Sequence, residues 1–480
     1  MSSILNNFIY QSSYQILALI LPLVTVPYVS RILGSNNVGI FSYTSTIAYY
    51  FSVLAMLGIE QYGNRCIAQA KKTKDGLKNV FSELLAIHLL FSVAVLFIYY
   101  VFISFFAHEF RLLYYVQGLY IFSSVFDINW FFWGLENFRI TVLRNLIIKL
   151  FSIVLIFIFV KKSDDLLIYA LILSASTFLS QIVLWFYLPR FSITKKHFLN
   201  SFQHFKPLLV LFIAIAGAHV YRMVDKVMLG AFGFFDDLGC YEYADKIIRL
   251  PLVFITAFGT IMLSRISSMI VSRKNDEINT LLYYSSVFVV FTSFAIAFGL
   301  ASISDNFIVL FLGNDYHGAI ILLTLLSFSF PLVAWNNFVR THILIPEKKD
   351  KIYTIAVCSG AAINFFLNLL LIPHFKAVGA TIATFVSYSL VLLIQTYPAV
   401  TSTAFIKPLS RHIPVALIIG LSIYFLNRCL ACIFETSICT VFIQIVSGVI
   451  LFFTMVFVYF LIADRVIISF LLAKIKTIVP

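Results

Sequence analysis

The sequence predicts an all-α integral membrane protein with about 14 transmembrane helices. Of its 480 residues, 61% are hydrophobic and only 11% are charged, whereas soluble domains carry about 25% charged residues. The mean hydropathy is +0.98. The apolar residues form runs of about 20, which is the length that a helix needs to cross the hydrocarbon core of a bilayer. Lipid is therefore the expected solvent around most of the chain.

Fourteen candidate spans follow one another along the chain. Four prolines fall within or at the ends of these spans, where proline removes a helix hydrogen bond and favours a kink: Pro22, Pro27, Pro251 and Pro331. The fifth span is short, and an earlier start for it is allowed by the sequence. The predicted spans are 8–30, 38–60, 80–106, 112–134, 146–160, 166–189, 207–231, 241–264, 281–303, 319–341, 352–373, 377–397, 413–432 and 439–462.

The loops between these spans predict an orientation. The loops that would lie on the same side as both termini carry most of the Lys and Arg residues outside the spans, and the opposite loops carry few. By the positive-inside rule, both termini are expected in the cytoplasm. The same loops account for the net charge of +13 without a basic nucleic-acid module. All loops are short, which excludes an extramembrane catalytic domain between the spans.

An internal repeat indicates two related halves. Residues 38–43 (VGIFSY) resemble 238–243 (LGCYEY), and Trp133 is echoed by Trp335 at nearly the same offset. Six helices separate the two copies, so both halves enter the membrane in the same direction. A pseudo-two-fold axis along the membrane normal would then relate them, as in transporters built from parallel repeats.

The repeat predicts the domain organisation. An N-terminal lobe of helices 1–6 covers 1–206, and a C-terminal lobe of helices 7–12 covers 207–400. Two additional helices and a cytoplasmic tail occupy 401–480.

Charges inside the predicted spans are the main candidates for a functional site, because each one is costly in the membrane interior. In the seventh span, Arg222 and Lys226 lie one turn apart on the same helix face, where like charges repel. Asp225 reaches back toward Arg222 but leaves Lys226 without a partner on its own helix. This face would be stabilised either by a visiting anion or by a carboxylate from another helix.

The remaining buried charges have structural alternatives. Asp245 and Arg249 are spaced to pair with each other along the eighth span. Arg31 lies at the outer end of the first helix, where snorkelling to the interface explains it. Asp127 has no cation nearby in sequence, so it either binds a proton or sodium ion or pairs with a residue such as Arg31 on a neighbouring helix. No metal site, cofactor motif or catalytic triad is expected.

Several motifs resemble a known family of transporters. The resemblance runs along most of residues 1–400 in the same order and spacing: 26–34 (VPYVSRILG) with 39–43, 127–136 (DINWFFWGLE), 224–230 (VDKVMLG), 345–351 (IPEKKDK), Asn364, Asn368, 372–373 (IP) and 378–380 (VGA). The family is the polysaccharide or O-antigen flippases of the Wzx type, within the multidrug/oligosaccharidyl-lipid/polysaccharide exporter superfamily.

The resemblance implies a function and roles for the buried charges. The substrate would be a polyprenyl-diphosphate-linked oligosaccharide, flipped across a bacterial inner membrane by alternating access for O-antigen, capsule or exopolysaccharide synthesis. Membrane lipids and the polysaccharide polymerase machinery would be its other partners. On this picture the candidates for binding the diphosphate are Arg31, Arg222, Lys226 and Arg249. The candidates for ion coupling or charge balance are Asp127, Asp225 and Asp245.

Two other functions compete with this one. A multidrug or other small-molecule exporter of the same superfamily would share the architecture, but a cavity for cationic drugs favours carboxylates, and here the charge inside the spans leans positive. A membrane-embedded polysaccharide polymerase would also cross the membrane many times. It usually carries a long external loop, which this sequence lacks between its predicted spans.

Overall fold

The computed structural model describes residues 2–71, 73–107, 109–188, 194–272, 275–402 and 409–463, and these residues are almost entirely helical. Fifteen α-helices occur in this part of the chain: α1 (Ser2–Met56), α2 (Ile59–Ala70), α3 (Lys74–Phe106), α4 (Arg111–Val125), α5 (Asn129–Gly134), α6 (Phe138–Phe159), α7 (Leu166–Trp185), α8 (Lys195–Ser201), α9 (Phe205–Ala231), α10 (Phe235–Val271), α11 (Asn275–Leu312), α12 (Gly318–Val339), α13 (Asp350–Ser402), α14 (His412–Ile433) and α15 (Ile438–Ala463). The predicted cytoplasmic tail lies mostly outside the described residues.

Eleven helical segments of the described chain are long and apolar enough to cross a membrane. Helices α1 and α13 each contain a break in helical geometry, at Gly34 (φ 75°, ψ 170°) and at Lys376 (φ 50°, ψ −130°) respectively. Both breaks fall in short loops that the sequence predicts between neighbouring spans. The all-α membrane fold is therefore confirmed, while the count of about 14 transmembrane helices stays a prediction.

The fourth predicted span, 112–134, is not one helix. α4 ends at Val125, and α5 covers only the six residues Asn129–Gly134. Asp127 lies between them, and its Oδ1 accepts a hydrogen bond from the backbone N–H of Asn129 at 2.9 Å. This local side-chain contact satisfies a backbone group in place of a continuous helix. Hydropathy does not detect the turn, because the residues on both sides of it are apolar. The fifth span begins earlier than residue 146, since α6 starts at Phe138.

By packing, the chain forms two compact units, residues 1–242 and 243–480. The long helix α10 contributes its first residues to one unit and the rest to the other. The lobe boundaries after residues 206 and 400 stay predictions.

The first unit has an aromatic core next to α2. Trp130 and Phe131 of α5 are fully buried and pack on Phe81 of α3, with ring centroids 5.5 and 4.6 Å apart. Ile59 and Ile67 of α2 belong to the same buried cluster. The turn at Asp127 thus places a short, aromatic α5 where it fills the space between α2 and α3.

In the second unit, α14 and α15 pack with α11. Phe291 of α11 lies against the rings of His412, Tyr459 and Phe460 at centroid distances of 5.6–6.0 Å. Both His412 ring nitrogens have hydroxyl partners, Tyr283 at 2.8 Å and Tyr459 at 2.9 Å. The two helices that fall outside the sequence repeat therefore share a core with the repeat helix α11.

Candidate functional site

A buried ion pair joins α9 to α10 in the first unit. Lys226 Nζ lies 2.7 Å from Glu242 Oε2, and both residues are only 8% exposed. The same oxygen accepts a 2.7 Å hydrogen bond from Ser42 Oγ on α1. A carboxylate from another helix therefore pairs with Lys226, which is one of the two alternatives left open by the sequence.

Glycines allow the helices carrying these groups to approach closely. A Cβ atom at Gly39 on α1 would collide with the backbone carbonyl of Phe235 on α10, and one at Gly239 would collide with the carbonyl of Ser35. Gly39 and Gly239 are the corresponding glycines of the sequence repeat. The close approach brings Ser42 within hydrogen-bonding distance of Glu242, which is also its counterpart in the repeat.

The ion pair lies on the wall of a cavity of about 380 Å³ in the first unit. Apart from Lys226 and Glu242, the polar groups that line this cavity are hydroxyls and one amide. The hydroxyl residues are Ser42, Ser45, Thr46, Tyr49, Tyr120, Ser174 and Thr177, and the amide is Gln117. Such a lining is unusual in an apolar bundle and marks the cavity as a candidate binding site.

Arg222 differs from Lys226 in having no hydrogen-bond or ion-pair partner within the described part of the chain. It is exposed on α9 and makes no hydrogen bond or ion pair with any residue that the structure describes. Asp225, which the sequence placed within its reach, instead accepts a 2.6 Å hydrogen bond from Tyr241 on α10. Arg222 lies close enough to Tyr49 and His219 to act on both electrostatically. Tyr49 OH and His219 Nδ1 are 2.8 Å apart, and Tyr49 lines the cavity, so the Arg222 cation lies next to a hydrogen-bonded pair at the cavity wall.

A second, smaller cavity of about 210 Å³ adjoins the first, and Tyr49, Tyr120 and Thr177 line both. Its wall includes two carboxylates, Asp127 and Glu60. Glu60 makes no hydrogen bond with a described residue. The two cavities thus differ in the charges on their walls, since the first contains the Lys226–Glu242 ion pair and the second contains two carboxylates.

Asp127 is held by an extended polar network. Asn129 Nδ2 donates to its Oδ1 at 2.8 Å, and Gln181 Nε2 donates to its Oδ2 at 2.9 Å. Arg144 of α6 donates hydrogen bonds to both amides, to Asn129 Oδ1 at 3.1 Å and to Gln181 Oε1 at 3.3 Å. The cation nearest to Asp127 in this network is therefore Arg144, and none of the hydrogen bonds shown for Asp127 comes from Arg31.

The other predicted site residues are not among those that line these cavities. Arg31 is exposed on α1, just before the break at Gly34. Asp245 and Arg249 belong to the second unit, where Arg249 Nε donates to Asp245 Oδ1 at 2.9 Å. Their spacing allows this pair, as the sequence indicated. Lys226 lines the first cavity and Asp127 the second.

Sequence reasoning missed three parts of the site. Glu242 stands out in the sequence only as part of the repeat, which does not assign it to Lys226. Sequence reasoning did not single out Arg144, although an arginine inside an early start of the fifth span was a signal for a buried partner. Glu60 is the last residue of the predicted span 38–60, and the sequence alone assigns it no role at a cavity.

Comparison with known proteins identifies the family. The chain belongs to the polysaccharide biosynthesis protein family, whose model matches residues 4–269. It is 22% identical over 378 residues to a putative O-antigen transporter of Shigella dysenteriae, an alignment that covers 78% of this chain and 94% of that protein. This membership confirms the resemblance to polysaccharide flippases of the Wzx type.

Solved structures share the fold. The lipid II flippase MurJ in an inward closed conformation matches with a TM-score of 0.78 at 15% identity, covering 94% of this chain and 99% of the other. An outward-facing multidrug resistance transporter of the MATE family, in the MOP superfamily, matches with a TM-score of 0.51 at 15% identity, covering 84% and 95%. At these identities the likeness concerns the fold alone, and it supports the all-α membrane architecture.

Proposed function

We propose that this protein is a transporter that flips a polyprenyl-diphosphate-linked oligosaccharide from the cytoplasmic to the outer face of the membrane, by alternating access. The observation that carries the proposal is the polar cavity inside an apolar helical bundle, with Arg222 exposed beside it. A lipid-linked sugar needs a polar path for its head group, because sugar hydroxyls and phosphates are costly to place in hydrocarbon. The family and the relative named as an O-antigen transporter support the same function.

In this proposal the cations recognise the diphosphate. Arg222 can bind the diphosphate without first breaking an ion pair, since it has no partner among the described residues. A guanidinium binds phosphate oxygens through paired N–H donors. Lys226 would have to exchange Glu242 for the substrate anion before it could take part. Arg31 and Arg249 remain candidates for contacts in other states of the cycle.

The proposal gives the carboxylates a role in coupling. Asp127, Asp225 and Asp245 are candidates for binding a coupling ion or for balancing the cations. Asp127 is the best placed of these, because it lines the second cavity together with Glu60. The expected location is a bacterial inner membrane, with both termini in the cytoplasm and the product delivered to the polysaccharide polymerase machinery.

One observation favours export of a small cationic molecule instead. Glu60 and Asp127 share one cavity, and two carboxylates would suit an organic cation. That activity would make the protein a multidrug exporter rather than a flippase.

Reconstituted transport distinguishes the two functions. Purified protein in proteoliposomes is offered three probes: a polyprenyl-diphosphate oligosaccharide, the same oligosaccharide on a neutral lipid, and a cationic dye. Flipping of the diphosphate-linked probe, well above that of the neutral lipid, is the expected result. Transport of the dye with no flipping of either lipid would replace the proposal with the exporter function.

A further inference from the structure

We propose that the larger cavity of the first unit, about 380 Å³ in volume, holds part of the neutral glycan of the substrate, separately from the diphosphate. This inference rests on the proposed function, and it assigns a different part of the same substrate to a different set of residues. Two observations support it: the hydroxyl groups that line the cavity are rich in hydrogen-bond acceptors, and the two charged residues on its wall pair with each other.

The hydroxyl groups of the cavity mostly offer acceptors. Thr46 Oγ1 donates to the carbonyl of Ser42 at 2.7 Å, and Thr177 Oγ1 donates to the carbonyl of Leu173 at 2.9 Å. Ser45 Oγ likewise donates to the Ser42 carbonyl at 3.2 Å. Each hydroxyl has one proton and two lone pairs, so these three groups have used their donors on their own helices and retain acceptor capacity.

An acceptor-rich wall suits a polyol and does not suit a phosphate. Sugar hydroxyls and N-acetyl groups can donate hydrogen bonds to such acceptors, whereas a diphosphate brings only acceptor oxygens at neutral pH. The two charged residues that line the cavity, Lys226 and Glu242, already pair with each other at 2.7 Å. The wall therefore has no uncompensated charge to attract an anion or an organic cation.

Ser174 supplies a further polar group. It is 5% exposed, lines the cavity, and makes no hydrogen bond with any residue in the described part of the chain. Its hydroxyl can therefore donate as well as accept. Tyr49 and Tyr120 add flat aromatic faces to the same wall, against which the apolar face of a sugar ring can pack.

The size of the cavity sets the extent of the contact. Its volume lies near the lower end of the roughly 300–1,000 Å³ typical of small-molecule pockets. It can therefore enclose a short segment of a glycan, and the rest of the oligosaccharide would lie outside it. Contacts to hydroxyl groups discriminate strongly, because a ligand that lacks them leaves buried polar groups unpaired.

The test measures binding of two lipid probes to the full-length protein in detergent. One probe is a polyprenyl diphosphate that carries the oligosaccharide extracted from the producing cells, and the other is the polyprenyl diphosphate without sugar. The variants are Thr46→Val, Thr177→Val and Ser174→Ala, which change little in volume. Matched controls are Thr454→Val and Ser422→Ala, whose hydroxyls bond their own helices at exposed positions.

The inference predicts that each cavity variant weakens binding of the sugar-bearing probe by roughly threefold to tenfold. Binding of the sugar-free probe should not change, and the controls should match the wild type with both probes. Variants that keep the wild-type preference for the sugar-bearing probe, or that weaken both probes equally, overturn the inference. The midpoint of thermal unfolding of each variant, compared with that of its control, tests whether the variant is folded. If a valine variant misfolds, Ser174→Ala still tests the glycan site.

The proposed function fails in a different way. A wild-type protein that binds neither diphosphate probe better than a neutral lipid of the same chain length contradicts diphosphate recognition, and the inference falls with it. A wild type that prefers the diphosphate, but with no effect of the sugar in any variant, contradicts the glycan site alone.

Discussion

Ser42 Oγ donates a 2.7 Å hydrogen bond to Glu242 Oε2, and the two residues occupy corresponding positions of the sequence repeat, 200 residues apart. The same carboxylate oxygen lies 2.7 Å from Lys226 Nζ. A single carboxylate thus ties α1, α9 and α10 together at the wall of a cavity. This arrangement neutralises one of the two cations of the seventh span and leaves the other, Arg222, exposed beside it.

The effects of Lys226 and Glu242 on the free energy of unfolding are expected to be coupled, because the two residues form a buried ion pair. Lys226→Met or Glu242→Gln alone removes one charge of a buried ion pair. Each variant should therefore lower the free energy of unfolding by roughly 3 kcal/mol, the low end of the range for buried pairs. The double variant should recover most of this loss. Thermal unfolding in detergent measures all three. A double variant no more stable than either single one would mean that the two charges do not act as a pair.

The close approach of α1 and α10 predicts opposite effects at two glycines. Gly39→Ala places a methyl group against the carbonyl of Phe235, and overpacking of this kind costs about 1–3 kcal/mol. Gly217 lies inside α9 with nothing within 4 Å of a Cβ atom. Gly217→Ala should therefore stabilise the protein by up to about 1 kcal/mol through helix propensity. Equal midpoints of thermal unfolding for the two variants would contradict the predicted contact.

If Asp127 couples flipping to an ion gradient, its substitution should change how flipping responds to that gradient and should not prevent folding. Asp127→Asn keeps a similar shape, so the protein should fold, while flipping should lose its response to an imposed proton or sodium gradient. Asp305→Asn is the control, since Asp305 pairs with Arg428 in the second unit. The measurement is the initial rate of flipping with and without the gradient. An unchanged gradient response in Asp127→Asn assigns that carboxylate to charge balance.

Glu83 is expected to anchor the short helix α8. Its carboxylate accepts hydrogen bonds from Asn200 at 3.1 Å and from Gln203 at 3.0 Å, and it lies 3.2 Å from His204 Nε2. Glu83→Ala should therefore increase amide hydrogen exchange across 195–204, because three contacts are lost at once.

The matched control for Glu83 is Glu136→Ala. Glu136 forms an exposed ion pair with Lys71 at 2.7 Å, and exposed pairs contribute about 0–1 kcal/mol. Its removal should leave the exchange of its neighbours nearly unchanged. If 195–204 exchanges at the wild-type rate in Glu83→Ala, the segment is held by contacts other than this carboxylate.

Much of the fold follows from hydropathy. Helix α9, Phe205–Ala231, nearly coincides with the predicted span 207–231, and the breaks at Gly34 and Lys376 fall between predicted spans. These features depend on local composition and on the length needed to cross a bilayer. The turn at Asp127 depends instead on one side chain bonding to the backbone of Asn129, which a hydropathy window does not resolve.

The site is only partly predictable, because it too depends on contacts between individual side chains that hydropathy does not resolve. The charges of the seventh span are recognisable because each is costly in a membrane, but the partners of Lys226 and Asp225 lie on α10, in a different predicted span. Glu242 pairs with Lys226 across two helices, and Arg144 reaches the Asp127 network from α6. The repeat makes Ser42 and Glu242 equivalent positions, but a shared offset does not by itself predict that the two side chains are in contact.

The most direct test of diphosphate recognition is the flipping rate of Arg222→Ala in proteoliposomes with the polyprenyl-diphosphate oligosaccharide. Arg139→Ala is the matched control, an exposed arginine on α6 that lines neither cavity. Loss of a charge-assisted contact worth about 1.5–3 kcal/mol predicts a rate lower by roughly ten- to a hundredfold for Arg222→Ala, with the control near wild type. Equal rates for the two variants, both folded, would contradict a role for Arg222 in binding the diphosphate.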